Sequence, residues 1–427
     1  MSGYGEPKRR RVITHRGRGG ESRRDTGRVE KPAITQQIIV EKPKLEKPAW
    51  MTDAQYEKTQ QSLGLAVSKV STITTDDKEN ETNNGNDTNL MASEDLNVKM
   101  KYLKNIKDEG KDEIVRNFYN TQTHTSRKSK RTESKIYQLR SFNNCIKYIL
   151  INKYGKHDGT ILELGCGKGG DLAKWEMINT RQYVGVDISD ESIREAIKRY
   201  CNGQKSGRFE FGAVFATGDA FKTELPQILE NFSMEEVCGL QFDNVSMQFC
   251  MHYAFGNENS VESMLTNVSR SLKSGGMFVG TIPNSDFISW KINKLAKTYK
   301  KGDTSVSWGN SIYNVTFPDL EGYDFEKKKF KTPFGNVYNY YLQDAVDNVP
   351  EYVVPFETFR GLCEKHGLEL KYRKNFTDMF AKEVGEFFGQ LPGPLVQSLQ
   401  RIDGSYGLDG DEREAASFYV AFAFQKV

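Results

Sequence analysis

No pair of cysteines in this 427-residue chain stands at C-x-x-C spacing. The six cysteines lie apart at 145, 166, 201, 238, 250 and 363, and Cys250-x-His252 lacks partners at zinc-ligand spacing. A disulfide framework and the usual cysteine metal motifs are thereby excluded, so reduced thiols and no metal site are expected. Long hydrophobic runs are missing too. Nothing reaches transmembrane length and nothing resembles a secretory h-region, which points to a soluble, intracellular chain. Apolar residues are few in general: at 37% of the sequence they suggest that part of the chain is left unpacked.

Charge is unevenly spread. Residues 1–50 hold 13 Lys and Arg against 6 Asp and Glu, a net of +7, which leaves −4 for the rest of a chain whose total is +3. The basic start includes "KRRR" (Lys8–Arg11) and "RGRGG" (Arg16–Gly20), and polar sequence such as "STITTDDKENETNNGNDTNLMASED" follows. So little apolar area cannot offset the entropy of ordering a chain. Residues 1–105 are therefore expected to be a disordered basic and polar tail, followed by one domain over 106–427. "KRRR" reads as a nuclear-import signal or as a solvated basic tail, and the Arg–Gly segment is a weaker hint of single-stranded RNA.

Order is expected to begin near "DEIVRNFYN" and to continue through "SKIYQLRSFNNCIKYILINKYG", where Ile136, Leu139, Phe142, Ile146, Ile149 and Leu150 recur at helical spacing. Strands "TILEL", "QYVGVDIS", "FGAVFATGDAF", "FDNVSMQF" and "MFVGTIPN" then alternate with helices, the pattern of a parallel sheet covered on both faces. The helix through "VESMLTNVSRSLKSGG" is expected to stop at Gly275–Gly276. The terminal strand "SFYVAFAFQKV" is expected at or near a sheet edge. The aromatic-rich stretch before it, with turn signals such as "PFGN", is expected to form an inserted β-rich substrate lid at about 284–350.

One loop carries the chemistry. Gly165, Gly167 and Gly170 spell G-x-G-x-x-G, which suggests a dinucleotide, while Glu163, Gly165, Gly167 and Gly169 spell E-x-G-x-G-x-G, which suggests S-adenosylmethionine. The loop alone does not decide. A carboxylate at Glu163 repels a pyrophosphate and suits a ligand bearing a sulfonium and an ammonium. Asp187 ends the second strand, where a carboxylate accepts from ribose hydroxyls, a feature that serves either ligand. Asp219, after the third strand, is placed for an adenine amino group; a helix N-cap is the plainer reading of each acid. Three acids after three strands favour the methyl donor.

The stretches "LRSFNNCIKYILI", "LELGCGKGGDLAKW", "VGVDISDESIREAIKRY", "SMQFCMHYAF", "FVGTIPNS", "WGNSIYNVTF", "DNVPEYVVPFETF" and "EREAASFYVAFAF" occur in that order. From about Val115 to the C terminus the chain resembles the eukaryotic mRNA cap guanine-N7 methyltransferases, and among them the fungal enzymes. The glycine motif is shared by any class I methyltransferase; "FNN", "QFCMHYAF" and "VPEYVVPF" are far more specific. The chain departs from the family pattern at Phe118 in "RNFYN", where the family usually has His, and at Cys145. The resemblance implies a class I α/β fold: a Rossmann-like, mostly parallel seven-stranded sheet with helices on both faces. It implies methyl transfer from S-adenosylmethionine to N7 of the cap guanosine, without a catalytic nucleophile or metal, because N7 already offers a free lone pair.

The resemblance also assigns residues. Lys147 and Gly165 are expected at the methionine part of the donor, Asp187 at its ribose and Asp219 at its adenine, with Gln248 and Tyr253 closing the site. Asn143 and Asn144 are expected on the guanosine side of the cap, and Lys168, Lys174 and Arg199 near its phosphates. His252 and Glu351 are expected to hold the guanine, Glu351 accepting from N1–H and the exocyclic amine, with Tyr419 near the transfer centre. Read without the family, His252 and Tyr419 are equally core residues and Glu351 an exposed acid in a proline-bounded loop. Expected partners are capped mRNA, the capping guanylyltransferase/triphosphatase and the phosphorylated RNA polymerase II tail, with a nuclear location and a monomeric state. A methyltransferase of the same fold acting on protein arginine or a small molecule, and an RNA-binding adaptor without turnover, are the competing readings.

Overall fold

In the computed structural model, residues 101–102, 115–121, 134–295 and 305–427 are described. The expected tail over 1–105 lies outside these residues apart from 101–102, which form a two-residue strand, β1 (Lys101–Tyr102). A helix over 115–121, α1, comes next. The first long element is α2 (Tyr137–Tyr154), which buries Leu139, Phe142, Ile146, Ile149 and Leu150, the face expected from their spacing.

The nucleotide-binding half follows as β2 (Thr160–Leu164), α3 (Leu172–Glu176), β3 (Gln182–Asp187), α4 (Asp190–Lys205) and β4 (Gly212–Thr217). Ser189 caps α4, its Oγ accepting from the Ser192 amide at 3.1 Å, and Asp190 and Glu191 set negative charge against the positive end of the helix. Beyond a short helix, α5 (Leu225–Ile228), come β5 (Phe242–Gln248), a 3₁₀ turn over Met251–Gly256, α6 (Glu258–Ser271) and β6 (Leu272–Pro283). The chain leaves helical geometry earlier than expected. Leu272 is already extended, and Gly275–Gly276 lie inside β6, where the pairing with β5 shifts register. The glycines serve that irregularity, not the helix stop.

An insertion opens with α7 (Ser285–Leu295). Its strands are β7 (Val306–Gly309), β8 (Tyr313–Phe317), the pair β9 (Tyr323–Asp324) and β10 (Lys329–Phe330), β11 (Val337–Leu342) and β12 (Val346–Tyr352). β12-β11-β8-β7 make a four-stranded antiparallel sheet that runs to Tyr352. The chain ends with α8 (Phe356–Lys365), β13 (Leu368–Asn375), α9 (Phe376–Phe387), α10 (Gly393–Ser398), α11 (Gly410–Ala416) and β14 (Tyr419–Lys426).

The main sheet has the order β1-β4-β3-β2-β5-β6-β14-β13. The pairs from β1 to β6 are parallel, and β14 runs antiparallel to both β6 and β13. The expected seven strands are joined by β1, and β14 lies one place in from the edge strand β13. Side chains alternate faces, so Ile161 and Tyr183 enter one core while Leu162, Leu164, Val184 and Val186 enter the other. Tyr313, Val315, Tyr338 and Tyr340 of the inserted sheet join the first core. The order reverses between β2 and β5, so a crevice opens where the carboxyl ends of these strands part.

Candidate active site

The glycine loop leaves β2 at that crevice. Gly165, Gly167 and Gly169 all have positive φ, which a side chain would strain. A Cβ at Gly165 would meet Cys250 Sγ at 2.5 Å, while one at Gly167 would stand in open space. Gly167 thus bares its backbone to the crevice, and its N–H donates to Asp187 Oδ2 at 2.7 Å. Asp187 Oδ1 accepts from the Ser189 amide at 2.9 Å. Burial raises the Asp187 carboxyl from its ordinary value against the pull of these two amides. Asp219 follows β4, whose Thr217 pairs with Asp187, and its Oδ1 accepts from the Phe221 amide at 2.9 Å. Glycine loop, Asp187 and Asp219 therefore share one end of the sheet.

Behind the loop lies a buried ionic cluster. Asp171 faces Lys147 at 2.6 Å and Lys174 at 2.7 Å. Burial works to raise its carboxyl, but the two ammonium groups outweigh it and hold it well below the usual carboxylate range. Lys174 is pushed down to about 8, by burial first. This ammonium also donates to Asn144 Oδ1 at 2.9 Å and Gly170 O at 3.1 Å. Its three protons are thereby spent on the protein, so in this structure Lys174 stands in the interior and not at a phosphate-facing surface. Asn144 is spent in the same way, its Nδ2 donating to Arg140 O at 2.9 Å. Asn143, by contrast, keeps a buried Oδ1 without a partner. Lys168 lies half-buried in the loop and Arg199 is exposed on α4 beside Gly170.

Glu163 is 1% exposed and accepts from the Tyr183 hydroxyl. A polar chain continues across the strands, from Ser246 to Gln248 at 3.1 Å and on to Thr281 at 3.1 Å. Gln248 is taken up in that chain. Phe249, next to it, has a positive φ of 58°, and its ring meets Tyr419 edge-on at 4.9 Å. Lys147 Nζ stands 5.7 Å from the same ring.

The second half of the site comes from the 3₁₀ turn after β5 and from the inserted sheet. His252 and Glu351 are both buried, with Nε2 3.5 Å from Oε1. Glu351 lies on β12, not in an exposed loop. Tyr338, opposite it on β11, donates to Oε2 at 2.8 Å. Among the described residues neither ring nitrogen of His252 makes a hydrogen bond, Nε2 having only the longer contact to Glu351. Buried polar atoms are rarely left so. Tyr419 starts β14 at the same end and is packed among Phe249, Phe376 and Phe418.

The two halves meet at a residue that sequence reasoning missed. Tyr119, on α1, lies 3.2 Å from the Tyr253 hydroxyl. Burial, together with Glu351 and Asp187, raises its hydroxyl's pKa well above the ordinary value, so one phenol senses the carboxylates of both halves. Asn120 fixes α1 in place, donating to Asp190 at 3.1 Å and accepting from Ser189 Oγ at 2.6 Å. A glycine cradle, a carboxylate at the end of β3 and an open crevice suit a nucleoside with a cationic side chain. An uncompensated His–Glu pair beside them suits a base with donors and acceptors on its edge.

Comparison with known proteins identifies the family. The model of the mRNA (guanine-N(7))-methyltransferase domain matches residues 102–427. The chain belongs to this family. A cap methyltransferase of Candida albicans is 48% identical over 331 residues, 74% of this chain and 69% of that one. Those of Saccharomyces cerevisiae, at 47% with 74% and 70% covered, and Schizosaccharomyces pombe, at 42% with 74% and 82% covered, are similar. Among solved structures, the CcbJ methyltransferase of Streptomyces caelestis is 12% identical with a TM-score of 0.38, over 67% of this chain and 90% of that one. Membership in the cap methyltransferase family fixes S-adenosylmethionine as the methyl donor. Signals for the missed residues were present: Tyr119 stands in "RNFYN", Asp171 in "GGDLAKW" and Tyr338 in the alternating "VYNYYL".

Proposed function

We propose that this chain methylates N7 of the terminal guanosine of capped mRNA, dividing the work between the two halves of the crevice. The observation that carries this reading is the buried His252–Glu351 pair, whose ring nitrogens are unsatisfied at the end of the sheet that carries the donor cradle. S-adenosylmethionine, when bound, supplies a methyl group on a sulfonium that leaves readily. Asp187 accepts from ribose hydroxyls, Asp219 from the adenine amine, and Lys147 offers its remaining protons to a carboxylate. Gly167 lets the backbone approach, and Tyr119 with Tyr253 closes the donor site.

On the cap side, Tyr338 holds Glu351 so that its free acceptors face guanine N1–H and the exocyclic amine. His252 lies against the same base and the Asn143 Oδ1 completes the pocket. Lys168 and Arg199 meet the phosphates, whereas Lys174, Asp171 and Asn144 brace the loop. Tyr419 and Phe249 wall the transfer centre. N7 needs no base to free its lone pair, so alignment carries the reaction; holding two reactants in register supplies on the order of 7–11 kcal/mol. Replacing Glu351 by Gln turns one acceptor into a donor facing a guanine donor, at about 1–3 kcal/mol for each group left unsatisfied. Glu351→Gln should slow methylation of guanosine caps and weaken the preference for guanosine over inosine caps, measured as kcat/KM on the two. Unchanged turnover and preference would remove Glu351 from the cap site.

The reading extends to domain limits and cellular context. We place a basic and polar tail over residues 1–105 and the catalytic domain over 106–427, with a nuclear location. The capping guanylyltransferase/triphosphatase and the phosphorylated RNA polymerase II tail are the partners in view, and the state is monomeric. The "KRRR" segment and the polar composition of the tail support this. A fluorescent fusion lacking residues 1–50 should lose nuclear accumulation; full retention would refute the import role.

A further inference from the structure

One exposed surface is not used by the reaction. Trp290, on α7, is 52% exposed, although an indole is among the costliest side chains to leave in water. Lys294 stands 5.3 Å from its ring on the outer side, while Lys291, at 5.5 Å, is held by an ion pair with Glu414. Asn293 of the same helix donates to the Tyr323 hydroxyl at 2.9 Å, which ties α7 to the β9–β10 hairpin. There Phe325 is 38% exposed, and Lys327, Lys328 and Lys329 are exposed beside Asp324, Glu326 and Glu321, with Lys331 donating to the Glu321 carbonyl at 2.6 Å. We infer that this strip of α7 and the β9–β10 hairpin is a docking site for single-stranded RNA, taking the nucleotides that follow the cap.

Chemistry and position both favour that occupant. Aromatic faces alternating with lysines fit stacked bases and their phosphates, and base stacking tolerates any sequence. Trp290 and Phe325 are the only exposed large apolar side chains of the strip among the described residues, too few for the apolar centre of a protein interface. The helix begins just past β6, at the end of the sheet where Asp187 and Gln248 stand. Three ring contacts lead inward: Trp290 to Phe287 at 5.7 Å, Phe287 to Phe418 at 6.2 Å, and Phe418 to Tyr419 at 5.4 Å. Trp290 thus stands three ring contacts from Tyr419.

The inference rests on capped RNA being the substrate, and the test separates the two. Trp290→Ala/Lys294→Ala and Trp290→Phe would be compared with the full-length wild-type chain. Probes are an uncapped fluorescent single-stranded 20-mer, a capped 20-mer and the cap dinucleotide GpppG. The double variant should bind the uncapped 20-mer about tenfold more weakly, the size of one lost stacking contact. Its KM for the capped 20-mer should rise similarly, while kcat and the KM for GpppG stay at wild-type values. Trp290→Phe should restore most of the RNA affinity. Equal effects on GpppG and the capped 20-mer, or no change in RNA binding, would overturn the docking site. Failure of wild type to methylate GpppG would instead overturn the cap reading, with binding of the uncapped RNA still measurable.

Discussion

Asp187 and Glu163 show how differently two buried acids serve one crevice. Asp187 keeps both oxygens on amides and, in the proposed site, accepts from the ribose, so Asp187→Ala should remove charge-assisted bonds of about 1.5–3 kcal/mol each. Its KM for S-adenosylmethionine should rise at least tenfold with affinity for capped RNA unchanged; unaltered donor affinity in a folded variant would refute the assignment. Glu163 is pushed up to about 8, by burial first and then by the charge of Asp171. The folded protein thus keeps a proton that the unfolded chain releases near pH 4.5, and stability falls as pH rises from there to about 8. Glu163→Gln cannot titrate. Urea midpoints of both proteins, without donor, should shift in the variant's favour between pH 5 and pH 8; an unchanged gap would contradict this. The place of Asp187 at the end of β3 was legible. Glu163 was read as a charge facing the ligand, whereas it lies inside β2 against the Tyr183 hydroxyl, where burial favours its protonated form. What the sequence hid was company: it shows neither that Lys174 donates to Asn144 of α2 nor that Tyr338 braces Glu351, because each contact depends on how separate elements pack.

Elements carry the next level of control. The helix spacing of α2 and the apolar runs of β2, β3, β5 and β6 were readable because burial on one or both faces leaves a periodic trace. The start of β6 was not, since Gly275–Gly276 mark a register shift as readily as a helix end. The stretch that forms helix α1 was expected to be ordered, but no role at the site was read in it. Yet Tyr119 and Asn120 tie it to Tyr253, Ser189 and Asp190, across the mouth of the donor site. A chain beginning at residue 101 should therefore retain wild-type donor affinity, and one beginning at residue 134 should lose tenfold or more while remaining folded. Equilibrium binding of S-adenosylhomocysteine measures both; equal affinity in the two chains would show that α1 is no part of the site.

At the scale of the molecule, the proposed site takes its donor cradle from one doubly covered sheet and its base-reading wall from one inserted sheet. The sequence pattern revealed the first because Rossmann-like alternation is regular. The second appeared only as aromatic density, since the alternating Tyr338 and Tyr340 of β11 acquire meaning when β12 brings Glu351 beside them. No helix among the described residues is long and apolar enough to cross a membrane. The account stands on one crevice joining donor and cap guanine. Methyl transfer from tritiated S-adenosylmethionine to GpppG-capped RNA, with digestion and chromatography of the product, tests this most directly. Label should appear in 7-methylguanosine from the cap, be absent from uncapped RNA and protein, and fall at least a hundredfold in a His252→Ala/Glu351→Ala variant that still binds S-adenosylhomocysteine. Label in another base or in protein, or full transfer by that variant, would contradict it.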